Sequence, residues 1–334
     1  MDLFQWIEET LHPVTCNSEE FIYEDMDSQS GRSLPLIYKP FDILQKSHWC
    51  DRGSLFDFLY SVQGEGKRLL DFGPGDGWPS LIIAPYAGEV VGVDGSKRRV
   101  LVCTENAKRL GISNAKFIFV SPGTSLPFED DSFDGIMAAT SIEQTPAPQA
   151  TLKELFRVLR KGGCLRLNCE SLNGYRNGLE HDLWLWAIGA EHCRMIIFDR
   201  DIKHEFVRQY GLTYTIPKQA MTRLLSTDGQ ALTFSMISVD GLKAISSSLI
   251  DARECITIHP SGKTLVKWLH EFGFSQVNPT HSGADAAGML FDRIPETGRP
   301  LDMAGVDKLV RPVAEIACEL PAPLYLDPMI TAIK

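Results

Sequence analysis

Leu69-Leu70 leads into Asp71-Phe72-Gly73-Pro74-Gly75-Asp76-Gly77, with glycine at every second position from 73 to 77. Glycine tolerates positive φ and lets a ligand lie against bare backbone. A helix can follow at once, because Pro79 is tolerated in a first helical turn. Taken alone, such a triplet is also an ordinary strand-to-helix turn. The next residues favour a ligand: Glu89–Val93 reads as a second buried strand, and it ends in Asp94. A carboxylate at the tip of a second strand, about 20 residues past a glycine turn, is where α/β nucleotide sites hydrogen-bond ribose hydroxyls. A dinucleotide turn needs a third glycine where this chain has Trp78. Indole there obstructs the close helix–strand approach that glycine permits.

The elements that must position this turn follow in regular alternation. A helix is expected over residues 53–63, then the strand entering the turn, a helix over Pro79–Ala87 and the second strand. Ser96 is placed to cap the next helix, whose C′ residue is Gly111. Ala115–Val120 reads as a third strand and 132–138 as a fourth. Gln149–Arg160 is an amphipathic helix, Gly162-Gly163 a turn and Cys164–Asn168 a fifth strand. Strands alternating with helices imply a parallel sheet with right-handed crossovers.

Composition sets limits. The 334 residues carry 44% hydrophobic and 23% charged residues, ordinary for a soluble globular protein of one large or two modest domains. No apolar run approaches the roughly 20 residues of a membrane span. The N-terminus lacks the basic region of a signal peptide, so a cytoplasmic protein is the expectation. The net charge of −10 weighs against a nucleic-acid partner. None of the eight cysteines forms a C-x-x-C pair, and no histidine spacing suits a metal, so no metal is expected.

Three further stretches carry a resemblance. Leu126-Pro127-Phe128-Glu129-Asp130-Asp131-Ser132-Phe133-Asp134 is similar to an L-P-F-x-[DE]-x-S-F-D segment. Ile142-Glu143-Gln144 stands where a Leu-Glu-His turn is frequent. Leu155-Phe156-Arg157-Val158-Leu159-Arg160-Lys161-Gly162-Gly163 is similar to E-x-x-R-V-L-K-P-G-G. Together with the acidic-x-Gly-x-Gly-x-Gly spelling at 71–77, they resemble class I S-adenosylmethionine-dependent methyltransferases of the small-molecule type, over roughly residues 66–168. The resemblance implies a doubly wound, mostly parallel seven-stranded sheet of Rossmann-like kind, with S-adenosylmethionine as cofactor and S-adenosylhomocysteine as product. It implies cofactor contacts at Asp71, Gly73, Pro74, Gly75 and Gly77, at Asp94, Gly95 and Ser96, and at Thr140 and Ile142 beneath the sulfonium.

The chain departs from the family pattern twice. Adenine would be read after the third strand, where the family commonly has Gly-Asp-Ala. Here the frame is Ser121-Pro122-Gly123, which moves the expected contacts to Ser121, Gly123 and Thr124. Gln144 replaces the frequent histidine, which leaves Glu143 as a candidate base at that turn.

Beyond the fifth strand, residues 173–262 are read as an inserted α+β cap at the substrate edge of the sheet. Strands are expected at Met195–Asp199, Tyr210–Ile216, Leu232–Ile237 and Glu254–His259. The cap's Tyr175, Trp184, Trp186 and Tyr210, with Tyr38 before the first strand, are the substrate candidates, weighed against a role in the cap's own core. His181 is the second candidate base. Residues 263–334 complete the core sheet, with 327–334 as a final antiparallel strand, and residues 1–60 are read as a helical lid segment. The 61–172 stretch is then the cofactor-binding core. The expected activity is methyl transfer to a small molecule. A silent cofactor-binding subunit and a protein or RNA methyltransferase are the alternatives, and the oligomeric state is open.

Overall fold

The computed structural model describes residues 2–18, Phe21, 40–226 and 230–334. In chain order the strands are β1 (Val14–Thr15), β2 (Arg68–Phe72), β3 (Glu89–Asp94), β4 (Ala115–Phe119), β5 (Phe133–Ala139) and β6 (Leu159–Asn168). They continue as β7 (His181–Ile188), β8 (His192–Asp201), β9 (Phe206–Tyr214), β10 (Leu249–Ile258), β11 (Gln276–Thr280) and β12 (Met329–Ile333). They form two sheets, and the chain divides into two compact units that follow them.

The unit of residues 40–171 and Pro260–Lys334 holds a seven-stranded sheet of order β11-β12-β6-β5-β2-β3-β4. Strands β4, β3, β2, β5 and β6 are mutually parallel, and β12 runs antiparallel between β6 and β11. This is the class I methyltransferase fold. The central strands are buried on both faces, so they read as continuous apolar runs. Leu70, Ile136 and Leu165 pack on one face with helices Pro148–Val158 and Gly262–Phe272. Leu69 and Met137 face the other way, toward helices Lys46–Ser61 and Met303–Glu319. Pro279 sits in β11, an edge strand, where a missing N–H is tolerated.

Helix Lys46–Ser61, expected over residues 53–63 as the helix before the first strand of the sheet, belongs to this unit. A Cβ on Gly53 would lie 2.3 Å from the carbonyl oxygen of Gly283, so paired glycines bring this helix and helix Gly283–Arg293 into backbone contact. Asp57 on the same helix meets Arg166 of β6, at 2.7 Å from Nε and 2.9 Å from Nη2. Both side chains are fully buried.

The second unit comprises the described residues up to Phe21 and Leu172–His259. Its antiparallel sheet, order β10-β9-β8-β7, gains β1 as a short parallel partner on β10. The N-terminal segment is helical as expected, Leu3–Trp6 continuing as a wider π turn over Ile7–Leu11. It packs Trp6 and Ile7 into this unit's core. Residues 232–237 are not a strand: Phe234–Met236 forms a 3₁₀ turn. Phe234 stacks on Phe4 at 5.7 Å, so its apolar face is used in packing rather than in pairing. Among the described residues, no helix is long and apolar enough to cross a membrane.

Candidate active site

The glycine turn leaves β2 at the carboxyl edge of the seven-stranded sheet. Gly73, Gly75 and Gly77 all hold positive φ, +74°, +57° and +106°. Each has its own physical setting. A Cβ on Gly73 would come within 2.5 Å of the Ser141 Cβ, so only glycine fits beside the β5 tip. A Cβ on Gly75 would meet nothing within 4 Å, so the loop offers bare backbone to open space there. Gly77 closes the turn by donating to the Pro74 carbonyl at 2.8 Å.

Three supports hold the loop. Beneath it, Asp71 is fully buried and accepts from the Ser80 backbone N–H at 3.0 Å and from the Ser80 hydroxyl. Burial pushes the Asp71 carboxyl up to about 7. Through Oδ2 the side chain braces the loop from below, while Oδ1 is buried without a hydrogen-bond partner. Beside the loop, Arg99 pairs with Asp76, and Asn106 donates to the Asp76 carbonyl at 3.2 Å. The Cys103 thiol reaches the Gly75 carbonyl at 3.1 Å, and burial raises its pKa.

Asp94 ends β3 and turns toward the loop. Its Oδ2 accepts from the Gly75 N–H at 3.2 Å and its Oδ1 from the Ser96 N–H at 2.8 Å. Gly95 links it to Ser96, whose buried hydroxyl caps helix Lys97–Arg109 by accepting from the Arg99 N–H. Past β4, Ser121 and Thr124 close a tight turn through the Ser121 carbonyl, with Gly123 at φ +77° and open space where a Cβ would stand. Thus the segment that carries Pro122 offers backbone and hydroxyls rather than a carboxylate.

At the β5 tip, Thr140 holds φ +46°, a backbone state that a β-branched residue seldom adopts. Its N–H donates to the Asn168 carbonyl at 2.8 Å, which locks β5 to β6 at their exits. Strain of this kind gathers where structure positions a site. Ile142 is buried in the sheet core. Glu143 follows it, 2% exposed. Its Oε1 accepts from the Glu170 N–H at 3.2 Å, while Oε2 is buried without a hydrogen-bond partner. Burial, with the nearby Glu170 and Asp327 charges adding to it, pushes the Glu143 carboxyl up to about 7.

The remaining candidates fall in the second unit. His181 lies on β7, with Nδ1 3.3 Å from Asp199 and its ring against Phe4 and Phe234. Tyr210 is fully buried and donates to Glu8 at 2.7 Å, which makes it a core residue of that unit. Trp184 donates to Asp182 at 3.1 Å and packs against Trp186 and Phe198. Tyr175 lies under the Arg200 guanidinium at 4.8 Å. Tyr38 lies outside the described residues. Ser80, Ser141 and Asn168 were not singled out in the sequence. Their signal is positional: a polar residue at a strand exit or a helix start beside a glycine turn. Among the described residues, no three His, Cys, Asp or Glu side chains come together as a metal site.

Residues 70–167 match the family model described as a methyltransferase domain. The loop, Asp94 and the Thr140–Glu143 turn all fall within the matched stretch. Among curated proteins, the chain is 38% identical over 98 residues to an uncharacterized methyltransferase, YcgJ, of Bacillus subtilis, covering 29% of this chain and 38% of that one. It is 35% identical over 136 residues to a demethylmenaquinone methyltransferase of Clavibacter sepedonicus, covering 39% of this chain and 53% of that one. The chain thus spans about half or less of the length of these relatives. Among solved structures, an S-adenosylmethionine-dependent methyltransferase from Clostridium acetobutylicum aligns over 89% of this chain and 93% of its own, with 11% identity and a TM-score of 0.45.

Proposed function

We propose that this protein transfers the methyl group of S-adenosylmethionine to a small-molecule acceptor. The observation that carries the reading is the Gly73–Gly77 loop, open at Gly75, with the Asp94 carboxylate held beside it. The residues fit the cofactor. Bare backbone at Gly75 suits its methionine end, Asp94 suits ribose hydroxyls, and the Ser121–Thr124 turn suits adenine through backbone groups. When bound, the cofactor supplies a methyl on a positive sulfonium, open to attack by an electron pair. The protein's share is then alignment and exclusion of water.

Glu143 is the base in this reading. A buried carboxyl held near 7 exchanges a proton at neutral pH, and its Oε2 is not committed to another group. The relatives named for demethylmenaquinone methylation support a small-molecule acceptor. The test is product formation. Purified protein with S-adenosylmethionine and a panel of small amines, phenols and thiols should release S-adenosylhomocysteine with at least one acceptor, well above the acceptor-free rate. Binding without release for every acceptor would contradict the reading.

A further inference from the structure

We propose that a cavity of about 330 Å³ at the carboxyl edge of the seven-stranded sheet binds the ammonium group of a small amine acceptor, with Asp327 as counter-ion and the rings of Phe58 and Trp78 as walls. The proposal rests on the methyltransferase reading above and adds the chemical class of the acceptor. The bound ammonium first gives a proton to Glu143, the base of that reading. The freed nitrogen lone pair then forms the N–C bond as the methyl's bond to sulfur breaks.

The cavity belongs to the site's own edge of the sheet. Trp78 directly follows the glycine loop. Asn168 ends β6, and its carbonyl accepts from the strained Thr140. Asp327 immediately precedes the Pro328-Met329 entry to β12. Phe58 and Asp57 come from helix Lys46–Ser61, and the far side is the start of helix Gly283–Arg293.

Charge selects a cation here. Asp57 is already matched by Arg166. The first amides of helix Gly283–Arg293 would favour an anion, but they are taken. Gly283 N–H donates to Asp57 at 2.7 Å, and the Ala284 and Asp285 N–H groups donate to Ser282 at 3.1 and 3.4 Å. Asp285 and Asp327 remain, two carboxylates against the one imidazole of His281 that also lines the cavity. Among the described residues, neither has a lysine or arginine within ion-pair distance, and Lys46, the cation near Asp285, is held by Asp292. Ser171 donates to Asp327 through its N–H at 3.2 Å and its hydroxyl at 2.9 Å. Both bonds fall on Oδ2, so Oδ1 is available to a ligand.

The walls suit the same group. Phe58 and Trp78 meet edge to face, with ring centroids 6.0 Å apart and planes at 83°. An ammonium over such rings is attracted by their quadrupoles. The Trp78 indole N–H is buried without an acceptor, so an oxygen on the same ligand would complete it.

The test uses the full chain and matched probes: 2-phenylethylamine with 2-phenylethanol, cyclohexylamine with cyclohexanol, and butylamine with butanol, titrated by ligand-observed NMR. S-adenosylhomocysteine is titrated separately into the same protein. The amine of at least one pair should bind about tenfold more tightly than its alcohol. Asp327→Asn should remove that preference and leave S-adenosylhomocysteine affinity unchanged. Asparagine accepts the φ of +48° found at this position and keeps an oxygen for Ser171. Trp78→Leu is the second variant and should weaken amine and alcohol together. If no amine is preferred, or the preference survives in Asp327→Asn, the cavity assignment is overturned while the cofactor reading stands on its own titration. Amine preference without S-adenosylhomocysteine binding would overturn the acceptor assignment together with the reading beneath it.

Discussion

The Oδ2 of Asp94 accepts a hydrogen bond from the Gly75 N–H at 3.2 Å, which ties the end of β3 to the midpoint of the glycine loop. The loop is therefore braced from two sides. Asp71 and Ser80 hold its exit from beneath, and Asp94 holds its crest. Bare backbone and a carboxylate are fixed together before any ligand arrives, and that preorganisation lowers the ordering cost of binding.

The brace beneath the loop gives a pH-dependent stability. The Asp71 carboxyl ordinarily titrates near 3.8 and burial raises it to about 7 in the folded protein. Its contribution is complete below about pH 4, falls as pH rises toward 7 and is constant above. The loss runs at about 1.4 kcal/mol per pH unit. Asp71→Asn removes this slope and keeps an acceptor for Ser80. Urea unfolding of both proteins between pH 4.5 and 7.5 should show the variant gaining on the wild type as pH rises. Parallel curves would refute the assignment.

Glu143→Gln tests the base. In the wild type, kcat/KM should rise with pH to a plateau above about 7, as the carboxyl loses its proton. The variant should lose about 10²- to 10⁴-fold in kcat/KM and lose that inflection, with S-adenosylhomocysteine affinity unchanged. A variant that keeps both rate and inflection would show that Glu143 is structural.

Asp57 and Arg166 carry a different prediction. Removing one member of a buried pair leaves an uncompensated charge and costs about 3–5 kcal/mol. Asp57→Ala should reach at least that range, because the Gly283 N–H also loses its acceptor. The double variant Asp57→Leu with Arg166→Met should recover most of the loss. Chemical denaturation of the three proteins decides this. Additive losses would contradict the pairing.

Much of the sheet was legible because its signals are local. The β2 run, the glycine turn and Asp94 lie within 26 residues of one another, and the antiparallel β12 shows as a short apolar strand at the end of the sequence. Features made by distant partners were hidden. Helix Lys46–Ser61 joins the sheet unit through Gly53 against Gly283 and Asp57 against Arg166, pairs that no local pattern announces. Strand His181–Ile188 went unread because its Trp-rich stretch resembles a substrate surface as much as a strand. Leu232–Ile237 has β-like composition, yet Phe234 is drawn onto Phe4 and His181. The motif likewise does not reveal that Ser80, nine residues after Asp71, donates to its Oδ2.

The central claim is that the Gly73–Gly77 loop and Asp94 hold an adenosyl sulfur cofactor, and titration of S-adenosylhomocysteine into wild type and Asp94→Ala tests it most directly. The wild type should bind saturably and gain about 2.7 kcal/mol of stability with ligand at 100 times its Kd. Asp94→Ala should fold, by circular dichroism, and lose that binding by at least about tenfold, the scale of one charge-assisted hydrogen bond. A wild type that does not bind, or a folded variant that binds as tightly as the wild type, would contradict the account.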